Sequence, residues 1–270
     1  MMKPTFKSSV SRQCWSAAAL LLLSAVLVGC PKQSTTTTGS GDNCTDEFAD
    51  GSPEAPVSTV VLCRTEYISV YDPAKKVPLL VAEKLQPTEF DGSVSRADNF
   101  QQDPDLAESQ SAALGDYRKS GYARGHMAPA ADFTSTDEAM NQSFYLSNMV
   151  PQDSGMNSGI WASLESATRN CAKQLGSVYV MTGPVFEGKP RTIGDDQVAV
   201  PSSIYKIVVS GNAARAFLMP NRKLPAARSN FTRYEVTVGE VQRATGLTFF
   251  PGGNVNLQAH ASFCGGSYGS

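Results

Sequence analysis

The amino-acid sequence predicts an α+β domain built on an antiparallel sheet. Segments with strand character outnumber segments with helical periodicity, and the turns between them are short, as at Asp72-Pro73 and at residues 211–213. An excess of strands joined by short hairpins is typical of an α+β body. The strands are predicted at residues 59–63, 67–71, 78–85, 144–149, 178–182, 203–209 and 214–219.

Two helices are expected. Between residues 158 and 175, apolar or small side chains recur at spacings of three and four, which places them on one helical face. The second helix opens with a capping box from Thr237 to Glu240. It is predicted to end at Gly246, because glycine readily takes the left-handed conformation that follows a last helical turn.

Composition bounds the kind of protein. A chain of 270 residues with 41% hydrophobic content can bury one sizeable core or two small ones. Charged residues make up only 18%, which argues against a disordered or coiled-coil protein. The net charge of −2 excludes a strongly basic nucleic-acid coat protein, and two histidines with six cysteines leave little material for a zinc cluster.

Residues 1–29 are expected to be a lipoprotein signal peptide. Three basic residues and no acidic one precede the apolar run 15–28, which is shorter than the roughly 20 residues of a transmembrane helix. The following tetrapeptide, Leu27-Val28-Gly29-Cys30, resembles a bacterial lipobox, which implies a lipid on Cys30 and a membrane anchor in the cell envelope. Pro31-Lys32 then favours the outer membrane, with the domain in the periplasm or outside the cell. An ordinary secretory signal or an uncleaved anchor is the alternative.

Residues 30–43 are predicted to form a flexible polar tether. The segment is of low complexity and contains no apolar side chain able to dock on a domain. The globular domain is therefore expected to span residues 44–270 and to stand off the membrane.

Cysteine usage agrees with export. Cys44, Cys63, Cys171 and Cys264 remain after the signal and the lipobox, an even number that favours two disulfides in an oxidising compartment. Three pairings are open. Cys44 with Cys63 and Cys171 with Cys264 are favoured, because the first pair is local and the second would fix the C-terminal tail to the core.

The residues that carry chemistry lie between positions 122 and 165. The pattern predicts a histidine at the end of an extended segment, then a second strand, then a helix whose first turn begins at Asn157. This arrangement can bring His126 and Asn157 into one cleft. An imidazole with an unperturbed pKa near 6.5 can take a proton from water at neutral pH. The carbonyl oxygen of Asn157 suits Mg²⁺, which keeps most of its waters.

Arg124 and Glu165 extend this candidate site. Arg124 precedes His126 by two residues on an extended segment, so it leans to the same side and can bind a phosphate bidentately. Glu165 lies about 80° round the helix from Asn157, where it could accept a hydrogen bond from metal-bound water.

The same stretch resembles the DNA/RNA non-specific endonucleases, the ββα-metal nucleases that include mitochondrial endonuclease G. Their motifs read D-R-G-H-x-A-P, S-N-x-x-P-Q and N-x-x-x-W-x-x-L-E. This chain matches them in order at residues 124–129, 147–152 and 157–165. The resemblance implies the ββα-metal nuclease fold, with a central antiparallel sheet flanked by helices.

It also implies Mg²⁺-dependent hydrolysis of DNA and RNA without sequence preference, leaving 5′-phosphate ends, with Mn²⁺ as a substitute metal. His126 would be the general base, and Asn157 the one direct protein ligand of the metal. The other implied roles are phosphate binding by Arg124 and Arg96, support of the metal's water shell by Glu165 and ordering of the site by Asn148.

The chain departs from the family motif at Ala123, where the usual residue is aspartate. That acid makes and breaks no bond in the implied scheme, so activity is expected to remain. A lipoprotein that keeps the fold only to bind nucleic acid or a surface is the alternative function. The joint presence of His126, Asn157 and Glu165 argues against it, since a binder needs none of them together. A homodimer and an inhibitor protein are open as partners.

Overall fold

The computed structural model describes residues 35–38, 46–224 and 230–265. Contacts divide the chain into residues 1–32 and 33–270, and every described residue belongs to the second unit. The predicted signal peptide, the lipobox with Cys30, and Cys44 all lie outside the described residues. Among the residues described, no helix is long and apolar enough to cross a membrane.

The secondary structure alternates strands with short helices. The strands are β1 Thr35–Thr38, β2 Thr59–Cys63, β3 Ile68–Asp72, β4 Val77–Leu85, β5 Ala123–His126, β6 Met149–Gln152, β7 Val178–Val185, β8 Thr192–Ile193, β9 Val198–Ala199, β10 Ser203–Ser210, β11 Ala213–Pro220 and β12 Glu235–Val236. The α-helices are α1 Pro87–Phe90, α2 Leu114–Tyr117, α3 Asp137–Gln142, α4 Ser154–Met156, α5 Ala162–Leu175 and α6 Val238–Thr245. A π-helical turn, Asn157–Trp161, precedes α5, and 3-10 turns occur at Glu108–Gln110, Ala130–Asp132, Leu146–Asn148 and Phe231–Tyr234.

The central sheet has the strand order β1-β2-β3-β4-β7-β10-β11-β12. Its neighbouring strands are antiparallel except for β1 and β2, which run parallel. Two separate hairpins, β5–β6 and β8–β9, lie outside it. The α+β class with a central antiparallel sheet is therefore confirmed.

Strand β1 differs from the predicted tether. Thr35–Thr38 lies inside that segment, yet its backbone pairs in parallel with β2, from Thr35 opposite Thr59 to Thr38 opposite Leu62. An edge strand presents unpaired backbone groups that any extended segment can meet, and β-branched threonine suits a strand. The prediction of a tether rests on the lack of apolar side chains. It does not anticipate this pairing, because the pairing is made by backbone groups.

The strand predicted at 144–149 is wrong. The chain turns there, with Phe144 and Tyr145 donating backbone hydrogen bonds to the last residues of α3, and β6 begins only at Met149. The Asn148 side chain explains the turn: it bonds the backbone carbonyls of Ala128 and Ser143 and accepts from the Ala128 N–H. Within 144–149 the Phe144 carbonyl accepts from the Gln101 N–H and the Leu146 N–H donates to the Gln101 carbonyl, so the segment makes an isolated bridge and no strand.

The other predicted elements are confirmed with small shifts of boundary. The helix predicted at 158–175 forms as the π-helical turn followed by α5, with a kink at Gly159, whose backbone is not helical (φ −105°, ψ −108°). The capping box at the head of α6 is formed, since Thr237 Oγ1 accepts from the Glu240 N–H at 3.2 Å and Glu240 Oε2 accepts from the Thr237 N–H at 2.7 Å. Gly246 ends that helix with φ +73°, a left-handed conformation that favours glycine.

Side chains on the sheet alternate between two packed faces. In β10, Tyr205, Ile207 and Val209 pack in the cluster that contains the α6 residues. Ile204 and Val208 pack in the other cluster, which contains α5 and the β5–β6 hairpin. The period of two along a strand therefore sets which residues lie beneath the candidate site.

A disulfide ties the C-terminal segment to the helix of the site. Cys171 of α5 is bonded to Cys264, which lies 93 positions later in the sequence, and the two Cα atoms are 5.4 Å apart. In the chain-entropy model a loop of that length contributes about 4–5 kcal/mol to the free energy of unfolding. Cys63 is also disulfide-bonded, whereas Cys44, its predicted partner, lies outside the described residues.

Candidate active site

The β5–β6 hairpin and α5 form a strand–strand–helix unit on one face of the sheet. His126 pairs with Met149 and Arg124 with Pro151, so both candidate side chains are held by an antiparallel ladder. Gly125 lies between them in the sequence. A Cβ at this position would lie 2.1 Å from Gln152 Oε1, so a residue with a side chain does not fit here. The close approach of the two strands thus requires the glycine of the Arg-Gly-His motif.

A cavity of about 540 Å³ opens beside this hairpin. It contains three arginines and no acidic residue in its lining, which suits an anionic ligand. It is lined by Arg96, Phe100, Leu114, Tyr117, Arg118, Tyr122, Ala123, Arg124 and Asn157.

His126 is buried against the rings of Phe100, which lines the cavity, and Phe144, which does not. Its ring lies 5.5 Å from the ring of Phe100 and 5.1 Å from that of Phe144, centroid to centroid. Burial, together with the positive charges of Arg96 and Arg124, lowers the pKa of His126 to about 3. The imidazole is therefore neutral at pH 7. Its buried Nε2 has no hydrogen-bond partner among the described residues.

The two predicted phosphate-binding arginines both reach the cavity. The Arg124 guanidinium lies 3.9 Å from the centroid of the Phe100 ring. The Arg96 guanidinium lies 4.8 Å from that of Phe144, and its Nε donates to Asp98 Oδ1 at 2.7 Å. Both guanidinium groups lie over aromatic rings, a contact that helps to hold each cation in place.

Asn157 is the predicted metal ligand that the structure brings to the cavity. It begins the π-helical turn, and its N–H donates to Asp153 O at 2.9 Å. Within the described residues, no group of three or more His, Cys, Asp or Glu side chains could hold a metal ion. A neutral amide oxygen at the edge of an open cavity fits Mg²⁺ taking its other ligands from water and phosphate.

Asn148 and Ala123 differ in their position relative to the cavity, which only Ala123 lines. Asn148 is fully buried and does not line the cavity; its amide fixes the chain just after His126 by bonding both backbone groups of Ala128. Ala123, the departure from the family motif, pairs with Gln152 and lines the cavity with a methyl group.

The family model for DNA/RNA non-specific endonucleases matches residues 45–256, most of the described domain. The chain belongs to this family. It is 36% identical over 205 residues to the mitochondrial nuclease EXOG of Danio rerio, covering 69% of this chain and 60% of that protein. It is 34% identical over 204 residues to human mitochondrial endonuclease G, covering 70% of this chain and 68% of that protein.

A solved structure supports the same relationship. The chain resembles the EndoG of an EndoG/EndoGI complex with a TM-score of 0.68 and 32% identity, over 71% of this chain and 86% of that one. The ββα-metal nuclease fold is thereby confirmed. The chain spans less than two thirds of the length of the EXOG nucleases of Danio rerio and Homo sapiens.

Glu165 of this family member is half-buried among the charges of Lys206, Asp132 and Arg169, and it is not among the cavity's lining residues. Burial raises its pKa to about 7; the Asp132 carboxylate adds to the rise, while Lys206 and Arg169 oppose it. Asp132 forms an ion pair with Arg169 at 2.5 Å. Glu165 therefore carries a proton for part of the time near neutral pH.

Strands of the sheet complete this group of charges. Lys206 is 1% exposed, and its Nζ donates to Thr182 Oγ1 at 2.7 Å. Glu83 is 2% exposed, and burial raises its pKa well above the usual range, helped by the Asp132 carboxylate. Alternation along β4, β7 and β10 puts Glu83, Thr182 and Lys206 on the face that carries α5.

Sequence reasoning missed two groups of site residues. The aromatic pair of Phe100 and Phe144 around His126 escaped notice as a functional unit, because its rings come from segments 44 residues apart. Lys206 and Glu83 were also missed. Their signal was visible, since each is a charged residue at a core position of an otherwise apolar strand.

Proposed function

We propose that this protein is a magnesium-dependent endonuclease that hydrolyses phosphodiester bonds of DNA and RNA without sequence preference, leaving 5′-phosphate ends. The unpartnered Nε2 of His126, held neutral by burial and by the charges of Arg96 and Arg124, both in the cavity lining, is the observation that carries the proposal. Family membership and the EXOG and endonuclease G relatives support it.

His126 acts as the general base in this proposal. A histidine must be neutral to accept a proton, and the low pKa ensures that at neutral pH. Phosphate binding then raises the pKa of His126, because an anion bound to Arg96 and Arg124 screens the two positive charges that disfavour the imidazolium form. Substrate binding thus raises the basicity of Nε2 when the attacking water must lose its proton.

Arg124 and Arg96 hold the scissile phosphate. Their guanidinium groups stack on Phe100 and Phe144 and are oriented before the ligand arrives. Preorganised donors stabilise charge that develops on phosphate oxygens without the cost of reorganisation. Asp98 forms an ion pair with Arg96 on the surface, and in this proposal the phosphate replaces Asp98 as the partner of Arg96.

Asn157 would hold the metal ion, with Mn²⁺ as an alternative to Mg²⁺. When bound there, the ion would stabilise the extra charge on the phosphate and on the leaving 3′-oxygen. Asn157 contributes a neutral ligand, so its position does not depend on pH. Glu165 accepts hydrogen bonds from water on the inner side of the site and loses its proton near neutral pH.

The test uses the full chain, purified in detergent, with closed circular plasmid and with RNA, in Mg²⁺ or in EDTA. His126→Ala is compared with His260→Ala, a matched control, because the sequence has only these two histidines and His260 is exposed. Cleavage that needs both the metal and His126, and that survives in the His260 variant, supports the proposal. Binding without cleavage in any divalent metal would instead favour the binding module.

The proposal extends to location and partners. Lipid on Cys30 would anchor the chain to the cell envelope, with the outer membrane favoured and the domain in the periplasm or outside the cell. Labelled palmitate incorporated by the natural chain and absent from a Cys30→Ser variant would support the anchor. A solved relative is described in complex with EndoGI and as inhibited; by analogy, an inhibitor protein is a candidate partner here, and a homodimer is to be tested by sedimentation.

A further inference from the structure

A second cavity adjoins the candidate active site. It measures about 280 Å³, near the lower limit for ligand pockets, and shares Tyr122 with the first cavity. Its polar lining includes Glu187, Lys189, Arg191 and Asn221. We propose that it binds a nucleotide of the substrate strand beyond the scissile bond, with the phosphate on Arg191 and Lys189; this rests on the proposed nuclease function.

Arg191 is positioned at the boundary between the two cavities. Its Nη2 donates to the Tyr122 hydroxyl at 2.7 Å, and its backbone carbonyl accepts from the Val200 N–H at 2.8 Å. It therefore stands at the foot of the β8–β9 hairpin with both ends of the residue held. Among the described residues, no salt bridge takes up the charge of Arg191 or Lys189, and both are exposed. Glu187 is the one acidic residue of the lining, so the positive charges are in excess.

The floor of the second cavity is tied to the strand–strand–helix unit. Asn221 Nδ2 donates to Pro151 O and to Pro201 O, both at 2.9 Å, and its Oδ1 accepts from the Asp153 N–H at 2.8 Å. Pro151 pairs with Arg124 across the hairpin. The two cavities therefore keep a fixed spacing, as two binding sites on one strand require.

The chemistry of the lining selects a nucleotide. Two cations and the Tyr122 hydroxyl offer donors to a phosphate, which binds forked guanidinium groups well. The Tyr122 ring, with Pro190, Val200 and Pro201, offers apolar surface to a base or sugar. Stacking on an aromatic ring accepts any base, in keeping with cleavage that ignores sequence.

Arg191→Ala tests the proposal, with Arg243→Ala as the matched control. Arg243 is an exposed arginine on α6, which packs on the opposite face of the sheet, so the two variants lose the same charge. We expect Arg191→Ala to weaken binding of a fluorescein-labelled single-stranded 12-nucleotide DNA in EDTA by about tenfold. The slope of log affinity against log salt should fall by about 0.7, the value for one phosphate contact on a single strand.

Kinetics give the second measurement. In Mg²⁺, the loss of kcat/KM should be larger on the 12-mer than on the dinucleotide dTpdT, which spans only the scissile bond, and should lie mainly in KM. Tyr122→Phe, which keeps the ring and removes the hydroxyl that holds Arg191, should show a smaller loss on the 12-mer. Arg191→Lys should recover part of the salt slope, since it keeps the charge.

Opposite outcomes separate this subsite from the nuclease itself. Equal affinities and equal salt slopes for the Arg191 and Arg243 variants would overturn the subsite even if the natural chain cleaves DNA. Binding that depends on Arg191 in a chain that cleaves nothing would keep the subsite and overturn the hydrolysis. If both variants unfold at the same temperature as the natural chain, misfolding is excluded as the cause of any loss of binding.

Discussion

The Arg124 guanidinium stacks on the ring of Phe100 at 3.9 Å, and the same ring lies 5.5 Å from the imidazole of His126. One aromatic side chain thus contacts both the predicted phosphate ligand and the predicted base. Phe144 repeats the arrangement on the other side, between Arg96 and His126. The two rings bury His126, and that burial is the main reason for its low pKa.

Phe100→Leu should lower kcat/KM on plasmid DNA by about tenfold. A cation–π contact contributes roughly 0.5–2 kcal/mol, and the loss of the ring also exposes His126 to water. The control is Tyr179→Leu, another partly exposed aromatic ring with a lysine above it, on the opposite face of the sheet. Equal activity of the two variants would show that the ring has no special role.

The pKa of His126 predicts an acid-dependent loss of stability. The folded value of about 3 lies below the unfolded value of about 6.5, so the unfolded chain binds an extra proton between them. The free energy of unfolding should therefore fall as the pH drops from about 6.5 towards 3. The loss from this group at pH 4.5 should be about 2–3 kcal/mol relative to pH 7.

Urea unfolding of His126→Gln and His260→Gln at pH 7 and 4.5 measures that loss. The difference between the two pH values should shrink in the His126 variant and persist in the His260 variant, whose histidine is exposed. Other titrating groups are common to all three proteins and cancel in the comparison. The same acid loss in both variants would contradict the burial argument.

Asn157→Ala should raise the Mg²⁺ concentration for half-maximal cleavage by about tenfold or more, because it removes the one direct protein ligand that the proposal assigns. Asn254→Ala is the matched control: this exposed asparagine bonds Asp50 at 2.8 Å, and it is not among the residues that line the active-site cavity. A Mg²⁺ titration of plasmid nicking gives both values. An unchanged midpoint in the Asn157 variant would remove Asn157 from the metal site.

Local sequence patterns predicted most of the fold, because the residues that favour a helix or strand locally also pack correctly in the folded domain. The capping box at Thr237 and the glycine at 246 fix α6 by short-range hydrogen bonds, which a sequence displays directly. The error at 144–149 has the opposite cause. Phe144 has the apolar character of a strand residue, but a buried asparagine side chain, Asn148, supplies tertiary hydrogen bonds that bend the chain.

The candidate site was predictable only as far as its motif extended. His126, Arg124 and Asn157 lie within one strand–strand–helix unit, so order along the chain indicated their proximity. Glu165 shows the limit of the same reasoning. Helical geometry placed it near Asn157, but its surroundings depend on Lys206, which arrives from a strand 41 residues later. No local sequence pattern indicates that Lys206 lies close to Glu165.

Lys206→Met should destabilise the protein strongly at pH 8, by about 3–5 kcal/mol, because removal of a buried cation leaves Glu83, Asp132 and Glu165 without it. The carboxyl pKa values of the folded variant would rise further above their unfolded values near 4. A raised folded pKa means that folding takes up protons, so the variant should regain stability as the pH falls from 8 towards 5. Urea unfolding at pH 8 and pH 5 measures this recovery.

A second substitution separates charge from packing. Lys206→Met with Glu83→Gln removes both the cation and a carboxyl group that is 2% exposed, so at pH 8 the double variant should be more stable than Lys206→Met alone. If packing alone explains the loss, the double variant will be no more stable and the pH dependence will be absent. Activity gives the link to function: the pKa of Glu165 should rise without Lys206, and the acid limb of kcat against pH should move upward by the same shift.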